Sequence, residues 1–280
     1  MPELPEVETC RRVMERVLLG RAIVESEFAP DSIVLKGSNS EELESWIRGN
    51  VVTEVGRKGK TWWLTFETGG SLVGHLGMAG WIREIGAETV RLREHGSAPL
   101  DDPTGRPKFL KMMLRADSNQ QIVMTDGRRL ARLWRTPNIE SDPKITQLGP
   151  DAFLNLPSPT DLEAIFGKRK APIKSLLMDQ GLLSGVGNWL VDEILYQAGI
   201  APQRSAGNIE TAEWQVLHQK TESILTIAVE AGANHELFPT QWMFHVRWGG
   251  SKGAGTINGQ PLERTVVGGR TTAWAPSVQK

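Results

Sequence analysis

Residues 179–189 read Asp-Gln-Gly-Leu-Leu-Ser-Gly-Val-Gly-Asn-Trp. Gly181, Gly185 and Gly187 interrupt an apolar stretch, a pattern that predicts a tight turn between two helices. Asn188 stands where the second helix begins, a position suited to capping. Exposed backbone N–H groups at such a turn can bind phosphate, although a packed turn without a ligand would use the same residues. The Lys-Ser/Thr pair of a Walker loop is missing, and the lack of a preceding strand weakens a dinucleotide reading.

Helical patterns continue on both sides of this motif. Apolar spacing predicts helices over Thr160–Phe166, Pro172–Met178, Trp189–Gln197 and Ile209–Glu230. Thr160 and Asp161 are candidate caps of the first of these helices, and Pro172 suits a first helical position. A breaker, Leu148-Gly149-Pro150, precedes them.

The first half of the chain has a different pattern. A helix over Pro5–Leu19 precedes many short apolar runs that Gly, Pro, Asn and Asp separate. The predicted strands are Ala22–Phe28, Ile33–Leu35, Val51–Val55, Thr61–Phe66, Ser71–Leu76, Trp81–Ile85, Leu110–Leu114, Ile122–Thr125 and Leu130–Trp134, with a short helix at Glu41–Arg48. Such strands and turns predict a β-sandwich or barrel-like domain. The polar stretch Ala87–Lys108 predicts a loop.

The tail after Phe238 predicts β-hairpins. Asn258-Gly259 is the signal of a two-residue hairpin turn. Residues 265–274 read as two strands around Gly268-Gly269. Arg270 then lies at an exposed tip, where it can reach a partner or remain a solvated turn residue. Together these patterns predict an α+β chain in three parts: residues 1–136, 137–237 and 238–280.

Composition and charge narrow the function classes. The chain has 280 residues, of which 39% are hydrophobic and 23% charged, which is ordinary for a globular protein. No apolar run reaches membrane-spanning length, and one cysteine, Cys10, excludes internal disulfides and multi-cysteine metal sites. A formal net charge of -1 argues mildly against a nucleic-acid partner. Basic clusters near residues 57–60, 128–132 and 168–170 keep a one-sided basic surface possible.

The amino terminus carries the most specific chemistry. Residue 2 is a proline, so removal of Met1 is expected and leaves Pro2 as a free secondary amine. A free α-amine has a reference pKa of about 7.7–8.0, and an amine can attack a carbonyl carbon. The adduct of a secondary amine is a cationic iminium. Glu3 and Glu6 lie within one turn of that amine, although acidic residues at this place also complement a helix dipole.

Five motifs, in the same order, make the chain similar to the formamidopyrimidine-DNA glycosylase / endonuclease VIII family. They are residues 2–8, 75–80, 125–129, 182–189 and 269–272. The resemblance covers nearly the whole chain. It implies an N-terminal β-sandwich domain with a leading α-helix, a helical domain with a helix–two-turn–helix element, and a C-terminal finger.

The resemblance also implies the catalytic residues. Pro2 matches the nucleophile that attacks C1′ of a damaged nucleotide, and Glu3 matches the acid that assists opening of the sugar ring. Glu6 matches a second acid near the sugar. Lys60 aligns better than Lys58 with the family's active-site lysine, because the family lysine directly precedes an apolar strand. The implied activity is that of a bifunctional DNA glycosylase and abasic-site lyase with β,δ-elimination.

DNA contacts follow from the same resemblance. A target base must leave the duplex stack before it can react. Met78, Arg128 and Leu130 match three residues that fill the gap; Leu130 stands where an aromatic residue is common, which puts the opposite-base preference in doubt. The remaining candidate phosphate contacts are His75, Arg129, Lys174, Asn188 and Arg270.

Two departures from the usual bacterial pattern affect the finger and the substrate. No cysteine follows Cys10, so the four-thiolate zinc site of the usual finger is excluded, and we predict neither metal nor cofactor. Hairpin hydrogen bonds and packing of Trp242, Trp248 and Trp274 are expected to hold the finger instead, as in the plant and fungal branch. The segment of residues 231–242 is short, and in the family the loop that caps a flipped 8-oxoguanine falls here. Weak activity on 8-oxoguanine is therefore expected, with formamidopyrimidines, hydantoins and abasic sites as the preferred substrates.

Two other functions stay open at this stage. One is a damage-binding protein that kept the fold and lost base excision; the retained Pro2, Glu3, Glu6 and Lys60 argue against it. The other is a phosphate- or RNA-binding helical protein, which leaves the amino terminus unexplained. We expect a monomer whose partner is damaged double-stranded DNA, with no membrane association. The expected location is intracellular: the cytoplasm or nucleoid of a bacterium, or the nucleus or an organelle of a eukaryote.

Overall fold

A computed structural model describes residues 1–87, 101–248 and 255–280. The chain forms two compact units, residues 1–147 and 148–280. No helix within the described ranges is long and apolar enough to cross a membrane. The first unit extends past residue 136, because Trp134 Nε1 donates to Asp142 and Lys58 Nζ donates to the Ile145 carbonyl. The further division at residue 238 stays a prediction.

The first unit is a helix followed by two four-stranded antiparallel sheets. Helix α1 spans Leu4–Leu18 and α2 spans Ser40–Ile47. The strands are β1 (Ile23–Phe28), β2 (Val52–Lys58), β3 (Thr61–Phe66), β4 (Ser71–His75), β5 (Trp81–Glu84), β6 (Leu110–Ala116), β7 (Gln121–Thr125) and β8 (Arg132–Thr136). One sheet has the order β1-β6-β7-β5 and the other β2-β3-β4-β8. One hydrophobic core takes residues from both sheets and from α1 and α2, so the predicted β-sandwich with a leading helix is confirmed.

Two strand predictions in this unit need correction. The expected strand at Ile33–Leu35 is a turn, because the Asp31 carboxylate accepts the backbone N–H groups of Ile33 and Val34. The strand expected at Leu130 begins only at Arg132. Residues 88–100 of the expected loop lie outside the described residues, and the described part includes a bridge between Asp101 and Pro107.

The second unit begins with helices, and its strands come later in the chain. Short helix α3 (Pro143–Thr146) ends the first unit, and α4 (Pro159–Phe166), α5 (Ile173–Leu177), α6 (Asn188–Ala198) and α7 (Thr211–Glu230) follow. Ser158 rather than Thr160 or Asp161 caps α4: its side chain accepts the Asp161 N–H. Gly187 rather than Asn188 holds the N-cap position of α6. Asn188 is therefore the first residue of the helix, and its amide is available for another partner.

Two hairpins complete the second unit. Strands β9 (Thr256–Ile257) and β10 (Gln260–Pro261) pair across the predicted Asn-Gly turn. Strands β11 (Glu263–Val267) and β12 (Arg270–Trp274) pair across the predicted Gly-Gly turn, in which both glycines have positive φ. A Cβ on Gly268 would stand 2.3 Å from the Ser175 Oγ of α5, so this turn lies tightly against the helix.

The three tryptophans predicted to hold the finger have different environments. Trp242 is buried and packs against Phe238 with tilted rings, Trp248 contacts Phe244 edge-on although it is 41% exposed, and Trp274 is partly buried. The finger also has a separate hydrophobic cluster, which consists of Met243, Ile257, Leu262, Ala273 and Ala275.

Candidate active site and nucleic-acid interface

The four predicted catalytic residues are all buried at one end of α1. Pro2 is buried, and Glu3, Glu6 and Lys60 are 3%, 0% and 7% exposed. Glu3 occupies the N-cap position with extended backbone, and Pro5 lies in the first turn, where its missing N–H costs nothing. The sequence thus starts the helix so early that its first acids stand next to the terminal amine.

Charges of both signs act on that amine. At Met1 the amine has a lowered pKa, and burial is the main cause. Glu3 and Glu6 act in the opposite direction, and the positive charges of Lys60 and Arg128 lower the pKa further. A lowered amine pKa increases the neutral, nucleophilic fraction near pH 7. Residues far apart in sequence therefore share one electrostatic site.

The turn between β2 and β3 presents Lys60. Gly59 takes φ +58, a left-handed conformation suited to glycine, and Lys60 follows it directly. Arg57 stabilises this turn, because its Nη1 donates to the Gly59 carbonyl at 2.8 Å. Its Nε donates to Glu8 Oε2 of α1 at 3.0 Å. Arg57 thus ties the turn that carries Lys60 to the helix that carries Glu3 and Glu6.

Glu8 is the anchor of this connection. Its carboxylate accepts hydrogen bonds from Arg11, Arg12 and Arg57. Burial raises the pKa of Glu8, but the hydrogen bonds from Arg11 and Arg57 outweigh burial, and the net pKa shift is downward. The carboxylate is therefore ionised at neutral pH. The pairing of Glu8 with a residue 49 positions away leaves no signal in the sequence.

His75 ends strand β4 beside Lys60. Burial lowers its pKa to about 4, and the charges of Lys60, Arg132 and Lys36 act in the same direction. The ring is therefore neutral at pH 7. Its Nδ1 accepts the Gly77 N–H at 3.0 Å, which leaves the proton on Nε2. A neutral donor beside several cations is suited to a phosphate oxygen, and the phosphate contact of His75 stays a prediction.

The three predicted gap-filling residues are exposed rather than in the core. Met78 and Leu130 are each 37% exposed, and Arg128 is also exposed. Gly77 connects the two loops, because a Cβ there would stand 2.3 Å from the Leu130 carbonyl oxygen. Met78 and Leu130 therefore belong to loops in close contact, and apolar side chains of this kind act as wedges in DNA.

Asp126 shapes the loop that carries Arg128 and Leu130. Its buried carboxylate accepts three backbone N–H groups: Arg128 at 2.9 Å, and Leu130 and Ala131 at 2.7 Å each. These bonds turn the chain before β8 can begin, which is why the predicted strand started too early. Sequence reasoning missed this role, although Asp followed by Gly is a turn signal.

Arg129 has a different environment from its neighbour. Its guanidinium makes two bonds with Asp31, at 2.8 and 3.0 Å, and Asp31 also binds Lys111. Hydrogen bonding from Arg129 is the main cause of the strongly lowered pKa of Asp31. A phosphate contact by Arg129 stays a prediction, and any such contact would be made by a group already held on the sandwich.

The second unit contains the remaining candidates, and one of them needs correction. Lys174 is completely buried, and its ammonium donates to Asp192, Thr272 and the Thr271 carbonyl. A direct phosphate contact by Lys174 is therefore wrong. Asn188 and Arg270 are near each other, because Asn188 Nδ2 donates to the Thr271 carbonyl at 3.1 Å and Arg270 is exposed at the start of β12.

A zinc site does not fit the finger. The sequence has no cysteine after Cys10, which is buried in the first unit. Across the described residues, no group of three or more His, Cys, Asp and Glu side chains could hold a metal ion.

Comparisons with known proteins match both units of the chain. Residues 1–133 match the family model of the formamidopyrimidine-DNA glycosylase N-terminal domain, and residues 148–238 match its H2TH domain. A formamidopyrimidine-DNA glycosylase of Arabidopsis thaliana is 35% identical over 280 residues, covering 100% of this chain and 71% of the relative. This plant relative is consistent with the expected branch. One from Paracoccus denitrificans is 32% identical over 301 residues, with full coverage of both chains.

Solved structures give the same result. A Lactococcus lactis Fpg in complex with abasic-site DNA superposes with a TM-score of 0.79 at 25% identity, covering 100% of both chains. A MutM in complex with DNA that contains carbocyclic 8-oxo-G superposes with a TM-score of 0.79 at 26% identity, again over 100% of both. With an N-terminal β-sandwich, an H2TH region and a hairpin finger, the chain belongs to the formamidopyrimidine-DNA glycosylase family.

Proposed function

We propose that this protein is a bifunctional DNA glycosylase and abasic-site lyase of base excision repair, with Pro2 as its nucleophile after removal of Met1. One observation carries the proposal: Pro2 is buried, and Glu3, Glu6, Lys60 and Arg128 all act on the amine of the preceding Met1. Burial lowers the pKa of the Met1 amine, and the same environment at the Pro2 amine would favour its neutral, nucleophilic form. Family membership and relatives named for this activity support it.

The reaction begins at C1′ of the damaged nucleotide. The Pro2 lone pair forms an N–C1′ bond while the base leaves with the electron pair of the glycosidic bond. Glu3 gives a proton to O4′ as the sugar ring opens, which yields an iminium between Pro2 and C1′. The iminium acidifies the C2′ proton, and its removal expels the 3′ phosphate. A second elimination expels the 5′ phosphate, and hydrolysis then releases Pro2.

Flipped-out DNA needs support where the base was. Exposed Met78 and Leu130, in loops joined by the close approach of Gly77 to Leu130, are suited to fill the gap, and exposed Arg128 can bond the orphaned base. Leu130 supplies an apolar wedge but no aromatic stacking surface. His75, Asn188 and Arg270 are suited to phosphate oxygens, which fix register rather than sequence.

Borohydride trapping tests the mechanism. The protein, with its amino terminus verified by mass spectrometry, is mixed with a duplex that contains an abasic site and is then reduced. We expect a covalent protein–DNA adduct with the sugar on Pro2. Binding without an adduct would favour the damage-binding alternative, and an adduct on Lys60 or another lysine would exclude Pro2 as the nucleophile.

The lesion preference is a finer part of the proposal. Between the end of α7 at Glu230 and Trp242 the chain forms only a short turn, with a 3-10 helix at His235–Leu237. This length supports weak capping of a flipped 8-oxoguanine. We expect formamidopyrimidine, hydantoin and abasic duplexes to be processed faster than 8-oxoguanine duplexes. Single-turnover excision on matched duplexes measures this, and equal rates for formamidopyrimidine and 8-oxoguanine would refute it.

The remaining parts of the proposal concern the setting. We propose that the protein acts as a monomer on damaged double-stranded DNA, without cofactor or membrane, and inside the cell in the compartment that holds its DNA. The three-part division of the sequence at residues 136 and 237 belongs to the same proposal. The affinity of the protein for DNA should fall with rising salt, because phosphate contacts release counterions.

A further inference from the structure

A buried charge network joins the finger hairpin to the helices of the second unit. It consists of Lys174 on α5, Asp192 on α6, Arg247 after α7, and Thr272 on β12. Lys174 and Asp192 side chains are each 0% exposed and 2.7 Å apart, and the Arg247 side chain is 4% exposed. We call these four residues the junction network. All four residues belong to the second unit.

Each member contacts more than one element. Lys174 Nζ donates to Asp192 Oδ1 and to Thr272 Oγ1, both at 2.7 Å. The other Asp192 oxygen accepts from Arg247 at 2.5 Å and from the Ala273 N–H at 3.2 Å. Arg247 also donates to the Asn188 carbonyl at 3.1 Å. One buried carboxylate thereby connects two cations, the start of helix α6 and strand β12.

The network ends on the backbone of the residue predicted to bind phosphate. The Thr272 hydroxyl, which accepts from Lys174, donates to the Arg270 carbonyl at 3.1 Å. The Thr271 carbonyl accepts from both Lys174 and Asn188. Arg270 therefore stands at the end of a continuous chain of hydrogen bonds that begins at a buried ammonium, and Asn188 is bonded to the same segment.

We propose that Lys174 and Thr272 are positioning residues for DNA binding: together they fix the Arg270 backbone, and with it the guanidinium, beside Asn188. The proposal rests on the proposed function. Isolated hairpins are only marginally stable in water, and the usual finger of the family relies on zinc bound by four cysteines, whereas no cysteine follows Cys10 in this sequence. The junction network supplies the fixed attachment that a metal site gives elsewhere. Breaking one buried link leaves its partners unpaired, so the effect on hairpin order should be large.

Thr272 offers a mild and well-matched pair of variants. Thr272→Val keeps the shape and removes the hydroxyl, whereas Thr272→Ser keeps the hydroxyl. In DNA-free protein we expect Thr272→Val to speed amide hydrogen exchange in residues 263–274, and Thr272→Ser to resemble the unmodified protein. Lys174→Met should give a larger increase. Circular dichroism shows whether each variant is folded.

The second measurement uses DNA. With a duplex that contains an uncleavable tetrahydrofuran abasic analogue, Thr272→Val should weaken binding about tenfold, the equivalent of one charge-assisted hydrogen bond. The slope of log affinity against log salt should decrease by about one phosphate contact, or roughly 0.9. Arg270→Ala should reproduce both changes and add little in the Thr272→Val background. For Thr272→Val, the single-turnover rate of abasic-site cleavage at saturating protein should stay within about twofold. A substitution that only weakens binding lowers the affinity and leaves the chemical step unchanged.

The outcomes are distinguishable. If Thr272→Val and Lys174→Met exchange and bind like the unmodified protein, and Arg270→Ala costs the same in every background, the positioning role is wrong. A merely structural role would lower stability without coupling to Arg270. If the unmodified protein binds no abasic duplex, the proposed function fails, and the exchange measurement still decides whether the junction network orders the hairpin.

Discussion

Protein that retains Met1 is expected to give no borohydride adduct with abasic DNA. In that form the Pro2 nitrogen is part of a peptide bond, and its lone pair is delocalised into the carbonyl group. It cannot attack C1′, so we expect the adduct yield to fall by more than about 10³-fold, as for removal of an enzymatic nucleophile. Lys60 and the Met1 amine lie in the same site, so peptide mapping of any residual adduct has to locate the crosslink.

The matched control is the same batch of protein after treatment with a methionine aminopeptidase. The two samples differ by one residue, and intact mass spectrometry quantifies Met1 in each. Treatment should restore the adduct in proportion to the exposed Pro2. Glu3→Gln separates the acid from the nucleophile: base excision should fall about 10²–10⁴-fold, whereas preformed abasic sites should still be trapped. Equal adduct yields with and without Met1 would falsify the mechanism.

Arg57→Met is expected to produce the largest loss of stability among single substitutions near the active site. The Arg57 side chain is completely buried and pairs with Glu8, so its removal leaves a buried carboxylate with fewer partners and removes one hydrogen bond to the Gly59 carbonyl. Breaking a buried pair from one side costs about 3–5 kcal/mol. Because Arg11 and Arg12 still contact Glu8, we expect a value near the lower limit, about 3 kcal/mol.

Activity should decline with stability. The Arg57 contact holds the turn that presents Lys60, and misplacement of a catalytic group by about 1 Å can cost on the order of 100-fold in rate. Urea unfolding measures the free energy, and single-turnover trapping of an abasic duplex measures the rate. Arg12→Met is the control, because Arg12 binds the same carboxylate but its side chain is 48% exposed. It should change stability by about 0.5 kcal/mol or less. Indistinguishable Arg57 and Arg12 variants would contradict the proposed connection.

The sequence predicted what depends on short-range patterns. Helix α1, strand β3 and both glycine-containing hairpin turns follow from local apolar spacing and from turn residues, and they lie where they were expected within a few positions. The candidate catalytic residues came from the resemblance, and Pro2, Glu3 and Glu6 are also neighbours in the chain. Lys60 joins them through the sandwich fold, which is a property of the whole first unit.

What the sequence could not predict is side-chain pairing over long separations. Asp31 turns the chain at residues 33–35, where three apolar residues had indicated a strand. Lys174 had the charge of a phosphate ligand, but it pairs with an aspartate 18 positions away and a threonine 98 positions away. Charge alone does not distinguish an exposed lysine from a buried one, since burial depends on which elements meet in the fold.

Gly268 and Ser175 have a consequence for how this lineage can vary. Any side chain at residue 268 would need both a left-handed backbone and the space now taken by the Ser175 hydroxyl. The Ser175 Cβ itself stands 3.1 Å from that point, so even alanine at 175 would be tight. We therefore expect these two positions to drift together: a descendant that lost the glycine would need glycine at 175, or a hairpin seated elsewhere.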